Sequence, residues 1–454
     1  MTDLTQWLPQ AVAAIERWQS EYGPFDAHPS LVVADDALAR AFADLTDRLR
    51  DNYPFFHPRY VGQMLKPPHP AAVLGYVTAM LINPNNHALD GGPATAEMEK
   101  DVVARLAGMF GLPQHLGHLT SSGTIANLEA LFVARESHPG TAVAYSADAH
   151  YTHARMCHVL GIEGVAIATD ERGRMDLTAL EQALGTGRIG TVVATLGTTG
   201  LGALDPLPEI LELARAHGAR VHVDAAYGGF FALIADDSPD GVASAPFAAV
   251  AKADSIVIDP HKHGLQPYGC GAVLFADPAV GRFYVHDSPY TYFSSDELHL
   301  GEISLECSRA GAAAAALWLT LEVLPLTPEG LGSALRPGRH GALAWQALLE
   351  ESPALAPYQP PELDIVTYLP RRSAMSAVDA ASQAVFRIAG EGDPQQQVHV
   401  ATYAVNGDQL RARGHGLRQD VDHARILRSV LMKPESQAEI PAIHSRLEQL
   451  AADA

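Results

Sequence analysis

A lysine lies three residues past an aspartate in Ile258-Asp259-Pro260-His261-Lys262-His263-Gly264. The run before it is short and apolar, so Lys262 falls at the carboxyl end of a strand, where open α/β sheets bind ligands. Partial desolvation lowers a lysine pKa and makes its amine a nucleophile. Taken alone, Lys262 reads rather as a solvated surface lysine. A second apolar run, Val221-His222-Val223, ends in Asp224 and is followed by Ala225-Ala226-Tyr227-Gly228-Gly229. A carboxylate in that position is costly unless a cation meets it. A protonated pyridine nitrogen is one such cation, and a turn-capping structural aspartate is the alternative.

Three further segments add to this pair. In Leu119-Thr120-Ser121-Ser122-Gly123-Thr124-Ile125, small hydroxyl residues and a glycine precede a helical stretch. Free N–H groups and the helix dipole make such a start a phosphate cradle, although any N-capped helix looks similar. In Tyr145-Ser146-Ala147-Asp148-Ala149-His150-Tyr151, His150 follows a strand and offers a flat ring for stacking. His150 and His153 form an H-x-x-H pair without the glutamate or third ligand of a metal site, so no metal is expected. In Ala194-Thr195-Leu196-Gly197-Thr198-Thr199-Gly200, a strand runs into a turn whose hydroxyls can reach a phenolic oxygen, or serve the turn itself. A lysine to form an imine, an acid for a ring nitrogen and a phosphate cradle are what pyridoxal 5'-phosphate requires. Arg428 stands in the apolar run Ile426-Leu427-Arg428-Ser429-Val430. Burial there calls for an anion, and the guanidinium fork matches a carboxylate. The alternatives are solvent or a local acid, Asp420 or Asp422.

These residues need a scaffold of strands and helices in alternation. Short β-branched or apolar runs at 142–145, 165–168, 191–196, 220–223, 255–258 and 272–275 read as strands buried on both faces. Helical stretches at 127–136, 177–184 and 207–217 separate them. The expected fold is α/β, a mostly parallel sheet with helices on both faces. An alanine-rich helix over 310–323 stops before Pro325. Beyond it, helices near 342–349, 374–387 and 440–451 alternate with strands at 365–368, 399–405 and 427–432, a smaller C-terminal α+β domain. The division is an N-terminal helical arm over 1–58, a large domain over 59–328 and a small domain over 329–454. The arm carries Trp7, Leu8, Val12, Ile15 and Trp18 at helical spacing, for a partner subunit or for its own.

Of 454 residues, 47% are hydrophobic and 18% charged, enough for a large core. The net charge of −21 repels phosphate backbones, so nucleic acid is not an expected partner. Cys157, Cys270 and Cys307 are odd in number and far apart, which suits neither a disulfide framework nor a zinc cluster. A reducing compartment follows. The opening residues lack a basic-then-apolar leader pattern and no apolar run is long enough to span a bilayer. The expectation is a cytoplasmic enzyme without a membrane partner.

In this order, the five segments from Ser122 to Lys262 resemble the group of pyridoxal-phosphate-dependent amino-acid decarboxylases that contains the aromatic-amino-acid and glutamate enzymes, of fold type I. The likeness runs from His57-Pro58-Arg59 to Arg428. Ile258-Asp259-Pro260-His261-Lys262 and Leu305-Glu306-Cys307-Ser308-Arg309-Ala310-Gly311 look closest to archaeal-type tyrosine/aspartate decarboxylases. The resemblance implies that Lys262 links covalently to the cofactor, Asp224 pairs with its ring nitrogen, and His150 stacks on the face opposite Ala226. Ser122, Gly123 and Thr124 take the phosphate, Thr199 lies near the phenolic oxygen, and His261 contacts phosphate or substrate. Arg428 holds the substrate carboxylate. Aromatic members usually carry asparagine where this chain has Asp259, and a carboxylate beside a phosphate must point away or be paired. A loop over 285–300, near Tyr284, Tyr290 and Tyr292, is expected to carry the family's catalytic tyrosine.

The resemblance implies a homodimer with active sites at the subunit interface, decarboxylating a free L-amino acid to its amine. A carbon–carbon (aldehyde) lyase or an aminotransferase on the same fold is the alternative, and a cofactor-free binding protein is another, opposed by intact Lys262 and Asp224. The segment Ile82-Asn83-Pro84-Asn85-Asn86-His87-Ala88-Leu89 is expected to bring Asn86 and His87 to the substrate pocket. It holds amides and an imidazole but no Arg or Lys, which points to a polar or phenolic substrate rather than an acidic one.

Overall fold

The structure is a computed structural model that describes residues 3–285 and 298–454. Seven strands form the main sheet: β1 (Leu116–Thr120), β2 (Ala142–Ser146), β3 (Gly164–Ile167), β4 (Ile189–Thr195), β5 (Arg220–Asp224), β6 (Ser255–Ile258) and β7 (Gly271–Phe275). Their order is β1-β7-β6-β5-β4-β2-β3. Only β7 runs against the rest, antiparallel to both β1 and β6. Along β4, residues alternate between two cores. Val192 and Ala194 pack with Leu207 and Leu211 of one helix, while Val193 packs with Leu131 and Met156 of two others. This two-sided cover explains why β4 and β5 read as nearly unbroken apolar runs.

Two expectations from the sequence needed correction. The 165–168 run is the edge strand β3, with Gly164 and Ala166 exposed, because no further strand or helix closes that side. β1 lies outside the expected strands, because Gly117 and His118 interrupt its apolar pattern. His118 is nonetheless fully buried, and its Nε2 lies 2.9 Å from Glu129 Oε2.

A second, antiparallel sheet follows, ordered β10-β11-β9-β8. It comprises β8 (Leu355–Gln359), β9 (Ile365–Pro370), β10 (Ala401–Asn406) and β11 (His423–Val430). β8 carries Pro357 and a bulge beside it, features that hide an edge strand from a pattern search. Helices Gly332–Glu351, Met375–Ala389 and Ser436–Asp453 belong with this sheet, and Trp345 packs on Tyr368 at 5.2 Å between ring centroids. At the N-terminus, helix Leu4–Ser20 rests on helix Pro70–Met80. Helix Asp35–Leu49 buries none of its residues.

Candidate active site

The carboxyl ends of the parallel strands meet in register. Thr195 at the end of β4 pairs with Asp224 at the end of β5, and Asp224 pairs with Val257 of β6. A cavity of about 210 Å³ opens there. Its walls include Ser122, Gly123, Thr124, His150, Thr199, Asp224, Ala226, His261 and Lys262. The structure thus gathers every residue expected to hold the cofactor, from five separate strand ends.

The cradle begins at Ser122, the N-cap of helix Gly123–Ser137, whose hydroxyl accepts the Ile125 N–H at 3.3 Å. The first N–H groups of a helix have no intrahelical acceptor, so those of Gly123 and Thr124 remain for an anion on the cavity wall. Glycine is required at 123 by close approach: a Cβ there would lie 2.5 Å from Asp259 Oδ2. Asn127, one turn on, donates to the Gly123 carbonyl at 2.8 Å and accepts from His222 Nε2 at 2.9 Å. Burial pushes the His222 pKa down to about 3. The ring is therefore neutral, with Nε2–H toward Asn127 and Nδ1 accepting from Ser255 Oγ at 2.9 Å.

Asp224 is buried, with Oδ2 2.8 Å from His153 Nε2 and Oδ1 accepting the Ala226 N–H at 3.1 Å. Burial by itself raises its pKa. The His153 hydrogen bond and nearby positive charge outweigh burial and hold the carboxyl well below the usual carboxylate range. His150 accepts the Thr152 N–H at Nδ1, 3.2 Å away, and lies against the Tyr151 ring. Burial pushes its pKa down, which keeps the ring neutral. The H-x-x-H pair is thus divided: His150 lines the cavity and His153 serves Asp224. Among the described residues no cluster suits a metal ion.

Lys262 Nζ lies 3.0 Å from Asp259 Oδ2, and His261 Nε2 lies 3.5 Å from the same oxygen. Asp259 therefore does not point away from the cavity; it is paired with the lysine. His261 Nδ1 donates to the Cys270 carbonyl at 2.8 Å. Behind the cavity wall, Tyr227 Oη and His263 Nε2 reach the two oxygens of Asp364 at 2.5 and 2.9 Å. This buried carboxylate ties the lysine loop to the second sheet, at the start of β9.

Three expected residues lie elsewhere. Asn86 is fully buried, donating to Thr95 O and Glu99 Oε2 and accepting from Thr95 Oγ1. Its amide is used up inside the fold. His87 is on the same turn, and neither residue lines the cavity of its own chain. Arg428 is buried but meets neither Asp420 nor Asp422. It donates to Gly200 O at 3.0 Å, Thr199 O at 2.5 Å and Gly62 O at 3.4 Å, bracing the turn that carries Thr199. Tyr284 is buried beside Phe132 and Glu129, and burial pushes its pKa up. Tyr290 and Tyr292 lie outside the described residues.

Sequence reasoning missed the roles of His153, Asn127 and Asp364. Only His153 left a local sign, its spacing from His150. The other two act through contacts distant in sequence.

Three buried polar atoms on cavity-lining residues, Thr152 Oγ1, Thr195 Oγ1 and Asp259 Oδ1, have no partner among the described residues. Buried polar atoms are normally satisfied, so the site is built for a polar guest. With a lysine amine, an ionised aspartate and a helix N-terminus on the same walls, the residues present fit pyridoxal phosphate.

Comparison with known proteins agrees. The pyridoxal-dependent decarboxylase conserved domain matches residues 42–336. An L-tyrosine decarboxylase of Enterococcus faecium is 28% identical over 442 residues, covering 74% of this chain and 72% of that protein. A probable L-aspartate decarboxylase of Halobacterium salinarum is 35% identical over 264 residues, covering 57% of this chain and 71% of that protein. Among solved structures, mouse CSAD superposes with a TM-score of 0.80 at 20% identity, covering 96% of this chain and 91% of that one. Oryza sativa TDC with PLP and tryptamine gives 0.79 at 19% identity, covering 99% and 98%. At those identities the structural likeness establishes the fold. The domain match spans well over half the sequence, and the chain belongs to the pyridoxal-dependent decarboxylases, enzymes that use pyridoxal phosphate to release the carboxyl group of an amino acid as CO₂.

Proposed function

We propose that the chain acts on a free L-amino acid with a polar or phenolic side chain, as a cytoplasmic homodimer. The observation that carries the assignment of the site is the convergence of Lys262, Asp224 and the Ser122–Gly123–Thr124 cradle on one cavity. The phenolic choice no longer draws on Asn86. It rests on the Enterococcus faecium relative, named for L-tyrosine, whose match covers most of both chains.

When bound, pyridoxal phosphate supplies an electron sink for the pair left behind as CO₂ departs. The protein's part is placement and charge. Lys262 tethers the cofactor through its amine, which Asp259 holds in place at 3.0 Å until then. Ser122, Gly123 and Thr124 hold the phosphate with hydroxyls and N–H groups, and His261 stands at its edge. Asp224 keeps the proton on the ring nitrogen. Neutral His150 covers one face of the ring without adding charge, and the small Ala226 leaves the other open. Thr199 offers its hydroxyl to the ring oxygen. Arg428 braces the turn that carries Thr199, and the proposed contact with the substrate carboxylate falls to its Nη1, whose one bond is the long one to Gly62 O.

The dimer is supported by apolar surface at the N-terminus. Leu38, Phe42, Leu45 and Leu49 form one exposed stripe on helix Asp35–Leu49. A groove of about 430 Å³ lined by Trp7, Ile15, Leu74, Ile82 and Trp318 lies beside helix Leu4–Ser20. In such a dimer the turn bearing His87 would be offered to the other subunit's cavity. The cytoplasmic placement is supported by three free thiols, Cys157, Cys270 and Cys307. No described helix is long and apolar enough to cross a membrane.

A panel of L-amino acids including tyrosine and aspartate, scored separately for CO₂, aldehyde and transamination products, tests the proposal. CO₂ release in equal amount to amine from a phenolic substrate is the expected result. Keto acid or aldehyde as the main product would overturn it.

A further inference from the structure

His153 is fully buried in the first turn of helix Thr152–Leu160, which follows β2. Its Nε2 reaches Asp224, at the end of β5, across the intervening strand β4. Its other nitrogen, Nδ1, is buried without a partner among the described residues. An apolar side chain of similar size would fill this space without stranding a polar atom, an omission that ordinarily costs stability. The imidazole therefore has one polar task, the bond to Asp224. Its ring plane is set by Tyr145, which stacks on it at 6.1 Å and 29°. Besides His153, Asp224 has one protein hydrogen bond, from the Ala226 N–H to Oδ1. Without the histidine, the carboxylate would be free to turn about its terminal torsion, which is broad for aspartate.

We propose that His153 is a positioning residue for the cofactor: it fixes the Asp224 carboxylate in one orientation, aimed at a pyridine ring nitrogen in the cavity. The proposal rests on the assignment of this cavity to pyridoxal phosphate. Asp224 does the pairing and His153 decides where its oxygens point. A tyrosine ring holds the histidine, the histidine holds the aspartate, and the aspartate meets the ring, so two elements outside the cavity set its geometry.

A pair of ligands separates this role from packing. The protein, freed of cofactor, is titrated with pyridoxal phosphate and with its 1-deaza analogue, in which a carbon replaces the ring nitrogen. Binding is followed by absorbance, with melting temperature and circular dichroism as controls for the fold. His153→Phe keeps a ring against Tyr145 but has no donor. It is expected to weaken pyridoxal phosphate by about tenfold or more, the size of one hydrogen bond to a charged group, with the deaza analogue unchanged. His153→Gln, which keeps an N–H donor, is expected to recover most of that loss. If His153→Phe does not fold, the ratio of the two affinities in His153→Gln and His153→Asn carries the test, because a donor displaced from Asp224 changes that ratio. Equal losses for both ligands, or none for either, would overturn the positioning role. Failure of the unaltered protein to bind either ligand would instead overturn the assignment of the cavity.

Discussion

Lys262 and Asp259 form an ion pair at the back of the cavity, so neutralising the lysine has two effects of different size. Lys262→Ala removes the only amine on the described cavity walls and should abolish borohydride-stable attachment of the cofactor, with activity falling by about 100-fold or more. Mass measurement after borohydride treatment checks the attachment, and a cofactor adduct retained by the variant would move the tether elsewhere. The orphaned Asp259 should cost some stability but not the fold. His222 makes a second residue-level prediction. Folded, it stays neutral down to about pH 3, whereas an unfolded histidine takes up a proton near pH 6.5. Its contribution to stability is thus complete above about pH 6.5 and is lost as the pH falls toward 3. Between pH 7.5 and 5, the unaltered protein should lose about 2 kcal/mol more than His222→Gln in urea unfolding. Parallel losses would show that other groups govern the acid limb.

At the level of elements, the site is a set of loops whose ends are held from outside. Helix Gly123–Ser137 can approach Asp259 only because position 123 has no side chain. Gly123→Ala should weaken pyridoxal phosphate by about tenfold or more and destabilise the fold by about 1–3 kcal/mol, as overpacking does. Gly108→Ala is the matched control: nothing lies within 4 Å of its Cβ, and it should stabilise helix Pro93–Met109 by about 0.5–1 kcal/mol. Cofactor titration and thermal melts of both variants check the contrast. Leu265, three residues past Lys262, has a φ of 63°, a left-handed conformation uncommon outside glycine, so the lysine loop carries backbone strain where it turns. Strand β11 meets the turn after β4 through Arg428. Arg428→Lys keeps the charge and loses the fork. Substrate affinity should fall by ~1.5–3 kcal/mol with cofactor content unchanged. Titration with substrate checks this, and a parallel loss of cofactor would make Arg428 a brace for the Thr199 turn alone.

Over the whole molecule, the two sheets are joined through charged and polar residues buried near the active site. Asp364, beside β9 of the second sheet, accepts from Tyr227 and His263, and Arg428 of β11 donates to the carbonyls of Thr199 and Gly200. The site on the main sheet is therefore braced by residues of the second sheet. The N-terminal helices instead expose their apolar side. Phe42→Glu places a charge in the middle of the Leu38–Leu49 stripe and should shift the proposed dimer to monomer, with little change in monomer folding because Phe42 is 63% exposed. Sedimentation velocity checks this, and an unaltered dimer would assign the stripe to something other than the subunit contact.

Residue types, their local spacing and the resemblance they carry pointed to an α/β sheet and to nine of the residues that line the cavity, though not to β1 or to Thr152 and Thr195 on the same walls. Each of those residues follows a strand by a few positions, and strand ends of a parallel sheet converge by geometry alone. The partners of those residues were decided by tertiary structure. His153, Asn127 and Asp364 act through bonds to residues 71, 95 and 137 positions away. Such bonds depend on the crossing of elements and leave no period in the sequence. Asn86 shows the converse. Its type and neighbours suit a substrate pocket, yet Thr95 and Glu99 consume its amide, because a buried amide must be satisfied wherever the fold places it.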